Sequence, residues 1–276
     1  MAITAADVNK LRQQTGAGMM DCKNALVEAN GDFETAIDIL RKKGQKVAAK
    51  RGENETKEGF VLAQAAADGS KGIVFSLNCE TDFVAKNDGY RTLVESIMKV
   101  AMDNQAASAE ELLAMKYDDK LTVAEKITEQ IGVIGEKLEI SGYAIIAGAS
   151  VVAYNHPGNQ LATLVALNEA GDVAIEAGRQ VAMQVAAMNP IALDKDGVDA
   201  RTIEREIEVG KELAIQEGKP EEMAEKIAQG RLNKFFKENT LLSQEFIRDN
   251  KLSVAQFLDS TIKGMTVVDF KRTSLS

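Results

Sequence analysis

The chain has 276 residues, of which 45% are hydrophobic and 27% are charged, as expected for a globular protein with one large or two to three smaller domains. The net charge of −9 is uneven, because residues 1–54 hold nine Lys or Arg and seven Asp or Glu (+2), which leaves −11 for the rest. This acidic body argues against nucleic-acid binding as the main activity, and no apolar run is long enough to span a membrane. We therefore expect a cytoplasmic protein with no direct nucleic-acid or membrane partner.

Residues 3–44 show the helical spacing of apolar residues in three successive segments. Thr4, with Asp7 three residues later, predicts a capped start for the first helix. The third helix is predicted to begin after Asp32 and to end at Gly44. Residues 42–59 are charged and contain glycines, which is typical of a linker. The sequence thus predicts a first domain, residues 1–54, made of a three-helix module and its linker.

After this linker the apolar spacing changes from that of a helix to that of a strand. The predicted strands are 59–67 and 71–79, and the predicted helices that follow are 90–102, 109–115 and 122–131. Together they define a predicted first core subdomain, residues 55–142.

A similar pattern then recurs, with strands predicted at 143–154 and 161–167, a turn at Pro157 and a helix at 179–188. The two copies align weakly: Leu77, Asn78, Glu80, Arg91 and Met102 in the first, and Leu167, Asn168, Glu169, Arg179 and Met188 in the second. We expect an α+β fold with two similar subdomains and antiparallel sheets. The second subdomain is assigned to residues 143–198 and 240–276, with a last strand at 265–270.

Residues 199–239 are charged and helical in pattern, and Gly218-Lys219-Pro220 interrupts them. This predicts a protruding αα-hairpin, or coiled coil. Its apolar residues are few: Ile203, Ile207, Leu213, Met223 and Ile227. Such a thin stripe suits a helix pair that packs on a partner better than one inside a bundle.

Phe83 is a large apolar residue in the polar turn that follows the strand at 71–79. Two interpretations are open. Phe83 folds back into the subdomain core, or it is an exposed anchor beside Asp82. The second copy makes the same connection with Ala170-Gly171-Asp172-Val173, which indicates that the scaffold does not require an aromatic residue there.

The remaining candidates for chemistry are weak. His156 is the only histidine and has no Cys or His nearby in the sequence, so no metal site is predicted. Cys22 and Cys79 lie on apolar faces and are interpreted as small buried residues. No nucleotide-binding or hydrolase motif is present. We predict no catalytic residue, metal or cofactor. An enzyme that uses Cys79 or His156 is the alternative.

A cluster of basic residues lies between Arg41 and Arg51. It is interpreted as a solvated surface, and contact with RNA is the alternative.

Two segments resemble signatures of the bacterial elongation factor Ts family, the nucleotide exchange factors of elongation factor Tu. They are Thr15-Gly16-Ala17-Gly18-Met19-Met20-Asp21-Cys22-Lys23 and Asn78-Cys79-Glu80-Thr81-Asp82-Phe83-Val84-Ala85. The resemblance covers nearly the whole chain in order. It implies a ubiquitin-associated-like three-helix module, a two-subdomain core and a coiled coil. Family members often carry a further helical module after the last strand. Here only six residues follow Phe270, which departs from that pattern.

This resemblance also implies a function, namely guanine nucleotide exchange on elongation factor Tu in translation elongation, without covalent chemistry. The exchange loop, inserted near the partner's magnesium and phosphate site, would be Thr81, Asp82, Phe83 and Val84. Supporting contacts would come from Ile134, Gly135 and His156. The N-terminal docking residues would be Thr15, Gly16, Ala17, Gly18, Met19 and Met20. Partners would be the GDP-bound and nucleotide-free forms of elongation factor Tu, with a homodimer through 199–239. The alternative is a ubiquitin-associated-like adaptor, or another protein-binding module, without exchange activity.

Overall fold

The fold is that of a computed structural model, which describes residues 3–275. Its helices and antiparallel sheets confirm the predicted α+β class. The chain forms two compact units. The first contains Met1–Leu62, Phe75–Ala144 and Thr273–Ser276, and the second contains Ala63–Val74 and Ile145–Arg272.

The first unit begins with three helices: α1 (Ala5–Thr15), α2 (Met19–Glu28) and α3 (Phe33–Arg51). The predicted cap is confirmed, because the Thr4 hydroxyl accepts from the Asp7 N–H and the Asp7 carboxylate accepts from the Thr4 N–H. The helices enclose a small apolar core made of Val8, Leu11, Ala17, Cys22, Ala25, Leu26, Ala29 and Ala36.

The prediction that the third helix ends at Gly44 is wrong, and so is the first part of the predicted linker at 42–59; only residues 52–57 lie outside helix and strand. Helix α3 continues to Arg51 and packs on α7 (Val123–Ile134) in the same unit. A Cβ atom on Gly44 would lie 2.8 Å from the Thr128 carbonyl oxygen, and one on Gly132 would lie 2.6 Å from the Gly44 Cα. Gly44 therefore does not end the helix; it allows two helices to approach closely.

The first three-stranded sheet has the order β1 (Glu58–Ala65), β2 (Lys71–Cys79) and β3 (Glu139–Ala147). After β2 come four helices: α4 (Asp82–Ala85), α5 (Asp88–Asn104), α6 (Ala109–Ala114) and α7. Phe75 in β2 and Ile97 and Met98 in α5 are fully buried. The predicted strand–strand–helix pattern of this region is confirmed, and α4 is an addition to it.

The single strand predicted at 143–154 is wrong, because the chain makes two strands there. They are β3 and β4 (Ser150–Asn155), and they belong to different sheets. Gly148 lies between them, and a Cβ atom there would be 2.9 Å from the Leu167 carbonyl oxygen. The alternating apolar pattern runs through both strands, so it conceals the change of sheet.

The second sheet has the order β4, β5 (Leu161–Leu167) and β8 (Val267–Ser274). Strands β4 and β5 form an antiparallel hairpin in which Ser150 pairs with Leu167. Helix α8 (Asp172–Met188) contacts both strands. The core between them includes Val165, Leu167, Val181 and Val185. Residues 240–264, left unassigned by the sequence, form β6 (Glu245–Phe246), β7 (Asp249–Ser253) and α11 (Val254–Thr261).

The predicted helical hairpin is confirmed as α9 (Ala200–Gln216) and α10 (Glu221–Asn239). Its packing differs from the expected stripe. The two helices meet through small residues: a Cβ atom on Gly210 would be 3.2 Å from that of Ala228, and Ala214 and Ala224 are buried. Several larger apolar side chains are exposed, namely Val209, Leu213, Ile215 and Met223, whereas Leu232 is buried.

Candidate functional site

Phe83 lies on the surface of the first unit. It is the second residue of α4, a single helical turn, and its side chain is 84% exposed, whereas its neighbours Asp82 and Val84 are partly buried. The interpretation that Phe83 belongs to the core is therefore wrong. Its ring leaves apolar area in water that contact with another molecule would cover.

Asp82 precedes the exposed ring and forms an ion pair with Lys86, with 2.7 Å between carboxylate oxygen and Nζ. The hydrogen bond and charge of Lys86 lower the pKa of Asp82 below its ordinary value. The carboxylate is thus ionised at neutral pH. Because the Asp82–Lys86 ion pair is exposed, it adds little to the stability of the fold. The Asp82 carboxylate is accessible to a cation of another molecule in place of Lys86.

The residues before α4 fix the end of β2. Asn78 donates its amide to the Thr56 carbonyl at 3.1 Å and accepts from the Ser141 hydroxyl at 3.1 Å. Tyr90, at the start of α5, donates its hydroxyl to the Leu77 carbonyl at 2.6 Å. The polar motif residues of this segment are therefore occupied within the first unit, in contrast to Phe83.

Glu136 holds the backbone just before α4. Its Oε2 atom accepts the N–H groups of Glu80 at 3.1 Å and Thr81 at 3.0 Å, and its Oε1 atom accepts the Thr81 hydroxyl at 2.6 Å. Glu136 follows α7, so the α7–β3 connection is tied directly to the turn that carries Phe83.

Glu80 makes the reciprocal contact. It accepts the Lys137 N–H at 2.6 Å and the Arg51 guanidinium at 3.0 and 2.8 Å, and Asn54 adds a bond of 2.9 Å. Burial acts to raise the pKa of Glu80, but these donors outweigh it and the pKa is lowered. We call the two crossed carboxylates, Glu80 and Glu136, the glutamate clasp. Sequence reasoning missed both as site residues, although Glu80 lies in the second signature segment and Glu136 directly follows the predicted contacts Ile134 and Gly135.

Ile134 and Gly135 are brought to the same place by the clasp. Ile134 is the last residue of α7 and is partly buried, and Gly135 caps that helix with φ of +83°. This left-handed conformation favours glycine. A Cβ atom on Gly135 would have no atom within 4 Å, so the backbone is open to approach at this point.

The predicted N-terminal docking segment divides into buried and exposed residues. Thr15 and Ala17 are buried, and Thr15 donates its hydroxyl to the Leu11 carbonyl at 2.9 Å. Gly16 is the left-handed cap of α1. Met19 and Met20, at the start of α2, are 52% and 62% exposed and are the side chains available for contact.

His156 lies in the second unit, in the turn between β4 and β5, and is exposed. Its Nδ1 atom is 2.9 Å from the Tyr154 hydroxyl. Val173, also in this unit, follows Asn168 by five residues, as Phe83 follows Asn78. It is 57% exposed at the start of α8. The second copy of the pattern therefore also exposes an apolar residue, but a smaller one.

The cysteines do not suit nucleophilic chemistry. Both are buried, and burial raises the pKa of Cys79 to about 11 and that of Cys22 above its ordinary value. Both thiols are thus protonated at neutral pH. Within residues 3–275, no group of three or more His, Cys, Asp or Glu is arranged to hold a metal ion, and no helix is both long and apolar enough to cross a membrane.

An exposed aromatic residue on a hydrogen-bonded turn, next to an ionised carboxylate, is typical of a protein that acts by contact with another macromolecule. Comparison with known proteins defines the family. A family model described as Elongation factor TS matches residues 80–276. Proteins named Elongation factor Ts match nearly end to end. That of Amoebophilus asiaticus is 55% identical over 99% of this chain and 98% of its own length. That of Cytophaga hutchinsonii is 56% identical over 99% of both chains.

The Elongation factor Ts of Porphyromonas gingivalis is 52% identical over 100% of this chain and 99% of its own length. The chain therefore belongs to the elongation factor Ts family of translation elongation factors.

Proposed function

We propose that this chain is a guanine nucleotide exchange factor for elongation factor Tu, acting in the cytoplasm during translation elongation. Family membership supports this proposal. The observation that carries it is Phe83, an apolar side chain 84% exposed on the turn formed by the family-like motif. The turn offers the partner one large ring and one carboxylate.

The exchange follows from thermodynamic linkage. A protein that binds nucleotide-free elongation factor Tu more tightly than the GDP form must weaken GDP binding by the same factor. In this mechanism Asp82 and Phe83 enter near the partner's magnesium and phosphate site. Displacing the magnesium removes the charge that neutralises the phosphates. Burial of the Phe83 ring contributes ~1.5–3 kcal/mol to the nucleotide-free complex, and no covalent step is involved.

The other contacts are assigned from exposure and from position in the fold. Met19 and Met20 form the docking surface of the N-terminal module, and Thr15 to Gly18 shape the turn that presents them. Ile134 and Gly135 support the exchange loop from the α7–β3 connection. His156 contacts the partner from the turn between β4 and β5. The hairpin at 199–239 mediates self-association.

Release of fluorescent GDP from elongation factor Tu tests the proposal. We expect substoichiometric amounts of this chain to accelerate release, and Phe83→Ala to slow it. Val173→Ala is a matched control, because it truncates the exposed apolar residue at the equivalent place of the second copy and should act as wild type. An unchanged release rate with the wild-type chain would exclude exchange activity. Binding without acceleration would support the adaptor alternative.

A further inference from the structure

The turn that carries Phe83 is too short to hold its own shape. Helix α4 has four residues, and Thr81, its N-cap residue, makes no side-chain capping bond to it. A single helical turn is unstable in isolation, because it fixes many dihedral angles for few hydrogen bonds. Something outside the turn must therefore order it, and the glutamate clasp is in contact with the two residues that precede it.

We propose that Glu136 and Glu80 are positioning residues, which fix the Asp82–Ala85 turn in one orientation before any partner is bound. This inference rests on the proposed function and deepens it, since it concerns how the same site is kept ready. Neither glutamate needs to touch the partner in this role.

The geometry of Glu136 supports this assignment. One carboxylate accepts three hydrogen bonds, two from consecutive backbone N–H groups and one from the Thr81 hydroxyl. Bonds to an ionised acceptor are stronger than neutral ones. Because two of the three hold backbone N–H groups, they define the direction in which the chain enters α4, and hence where Phe83 points.

Glu80 extends the clasp to α3. Its carboxylate pairs with Arg51, the last residue of that helix, and with the Lys137 N–H next to Glu136. The helix that belongs to the predicted docking module is thus linked through one side chain to the turn that carries Phe83. This arrangement reduces the conformational freedom that a partner would otherwise have to remove on binding.

The first test needs no partner. Amide hydrogen exchange in the full chain is compared for wild type, Glu136→Ala and Glu136→Gln. With Glu136→Ala we expect the amides of Glu80 and Thr81 to exchange at least about tenfold faster, and those of α5 to be unchanged. With Glu136→Gln the amide oxygen can accept the two N–H groups while its NH2 group donates to the Thr81 hydroxyl, so protection should largely return. Glu95→Gln, which alters an exposed glutamate paired with Arg91 on α5, is the matched control.

The second test is GDP release from elongation factor Tu with the same variants. We expect a loss of about tenfold for Glu136→Ala, equivalent to ~1.4 kcal/mol, and recovery to within about threefold for Glu136→Gln. Unchanged amide exchange in Glu136→Ala would overturn the positioning of the turn. Loosened amides with normal GDP release would overturn its relevance to exchange.

The two proposals fail in distinguishable ways. If wild type does not accelerate GDP release, the proposed function is wrong, but the amide measurements still decide whether the clasp orders the turn. If Glu136→Ala loses the protection of α5 as well, Thr81→Val replaces it, because that change removes only the hydroxyl bond. Thr81→Ser keeps the hydroxyl, so the amides of Glu80 and Thr81 should exchange as slowly as in wild type. Equal amide exchange in the two Thr81 variants would overturn the role of that bond.

Discussion

At the scale of single residues, we expect the Phe83 side chain to contribute to GDP release and little to folding stability. Its side chain is 84% exposed, so Phe83→Ala should change the free energy of unfolding by no more than ~0.5 kcal/mol. GDP release should still fall about tenfold, since ~1.4 kcal/mol of lost contact is enough. Phe75→Ala is the contrasting control, because Phe75 is fully buried and its loss should cost ~3–5 kcal/mol. Urea unfolding and GDP release measure both effects; a large stability loss at Phe83 with normal exchange would contradict the anchor role.

Glu80 gives a prediction about pH. Its pKa in the folded chain is lowered by Lys137, Asn54 and Arg51 against the opposing effect of burial, so the unfolded chain binds a proton more readily. Its contribution to stability is therefore complete above the unfolded pKa of ~4.3 and is lost as the pH falls through the folded value. Urea melts between neutral and acidic pH should show a shallower loss of stability in Glu80→Gln than in wild type. Parallel curves would show that Glu80 is not coupled to folding.

The sequence predicted this site in part. It located Phe83 and Asp82 and left open whether the ring was buried, because a residue next to a strand end fits either environment. It did not identify the glutamate clasp. Glu80 and Glu136 are 56 positions apart along the chain, and no periodic pattern links residues that meet only through backbone N–H groups. Charged residues near a turn also look like an ordinary solvated surface.

At the scale of elements, we expect substitution by alanine to have opposite effects on stability at two helical glycines, Gly44 in α3 and Gly230 in α10. Gly44→Ala places a Cβ atom 2.8 Å from the Thr128 carbonyl oxygen, so α3 and α7 must separate, and we expect destabilisation of ~1–3 kcal/mol. Gly230 lies inside α10 with open space around it, so Gly230→Ala should stabilise by ~0.5–1 kcal/mol through helix propensity. Urea melts of both variants are the measurement. Stabilisation by both changes would show that the α3–α7 contact can relax.

The sequence predicted those elements that neighbouring residues define, and it missed features that depend on residues far away along the chain. Strand β5 and the interruption between α9 and α10 were placed correctly, because local apolar spacing and Pro220 define them. The end of α3 was misplaced, since a glycine inside a charged segment usually ends a helix. Its actual role depends on Gly132, 88 positions away. The division between β3 and β4 was missed for a related reason. Glycine is required at position 148 by the nearby Leu167 carbonyl oxygen, which the residues next to Gly148 in the sequence do not reveal.

At the scale of the whole molecule, the α9–α10 hairpin belongs to the second unit, and its two helices pack mainly on each other. The two helices meet through small residues that pack against each other: Gly210, Ala214, Ala224 and Ala228. The segments that flank the hairpin are hydrogen-bonded to each other, because the N–H groups of Leu241 and Leu242 donate to the carbonyls of Ala192 and Leu193 at 2.9 Å. A short glycine–serine linker in place of residues 200–234 would leave these bonds intact, together with those that Thr240 and Gln244 donate to the carbonyls of Phe236 and Glu238.

We predict that this replacement leaves the melting temperature of the remaining chain nearly unchanged and abolishes self-association. The reason is that four of the hairpin's larger apolar side chains, Leu213 and Met223 among them, are exposed rather than packed within the second unit. Sedimentation at micromolar concentration should show a dimer for the full chain and a monomer for the shortened one. Leu213→Lys should weaken the dimer, whereas Ile247→Lys, a matched change at an exposed apolar residue outside the hairpin, should not. A monomeric full chain would refute the dimer, and a lower melting temperature after replacement would mean that the hairpin stabilises the fold.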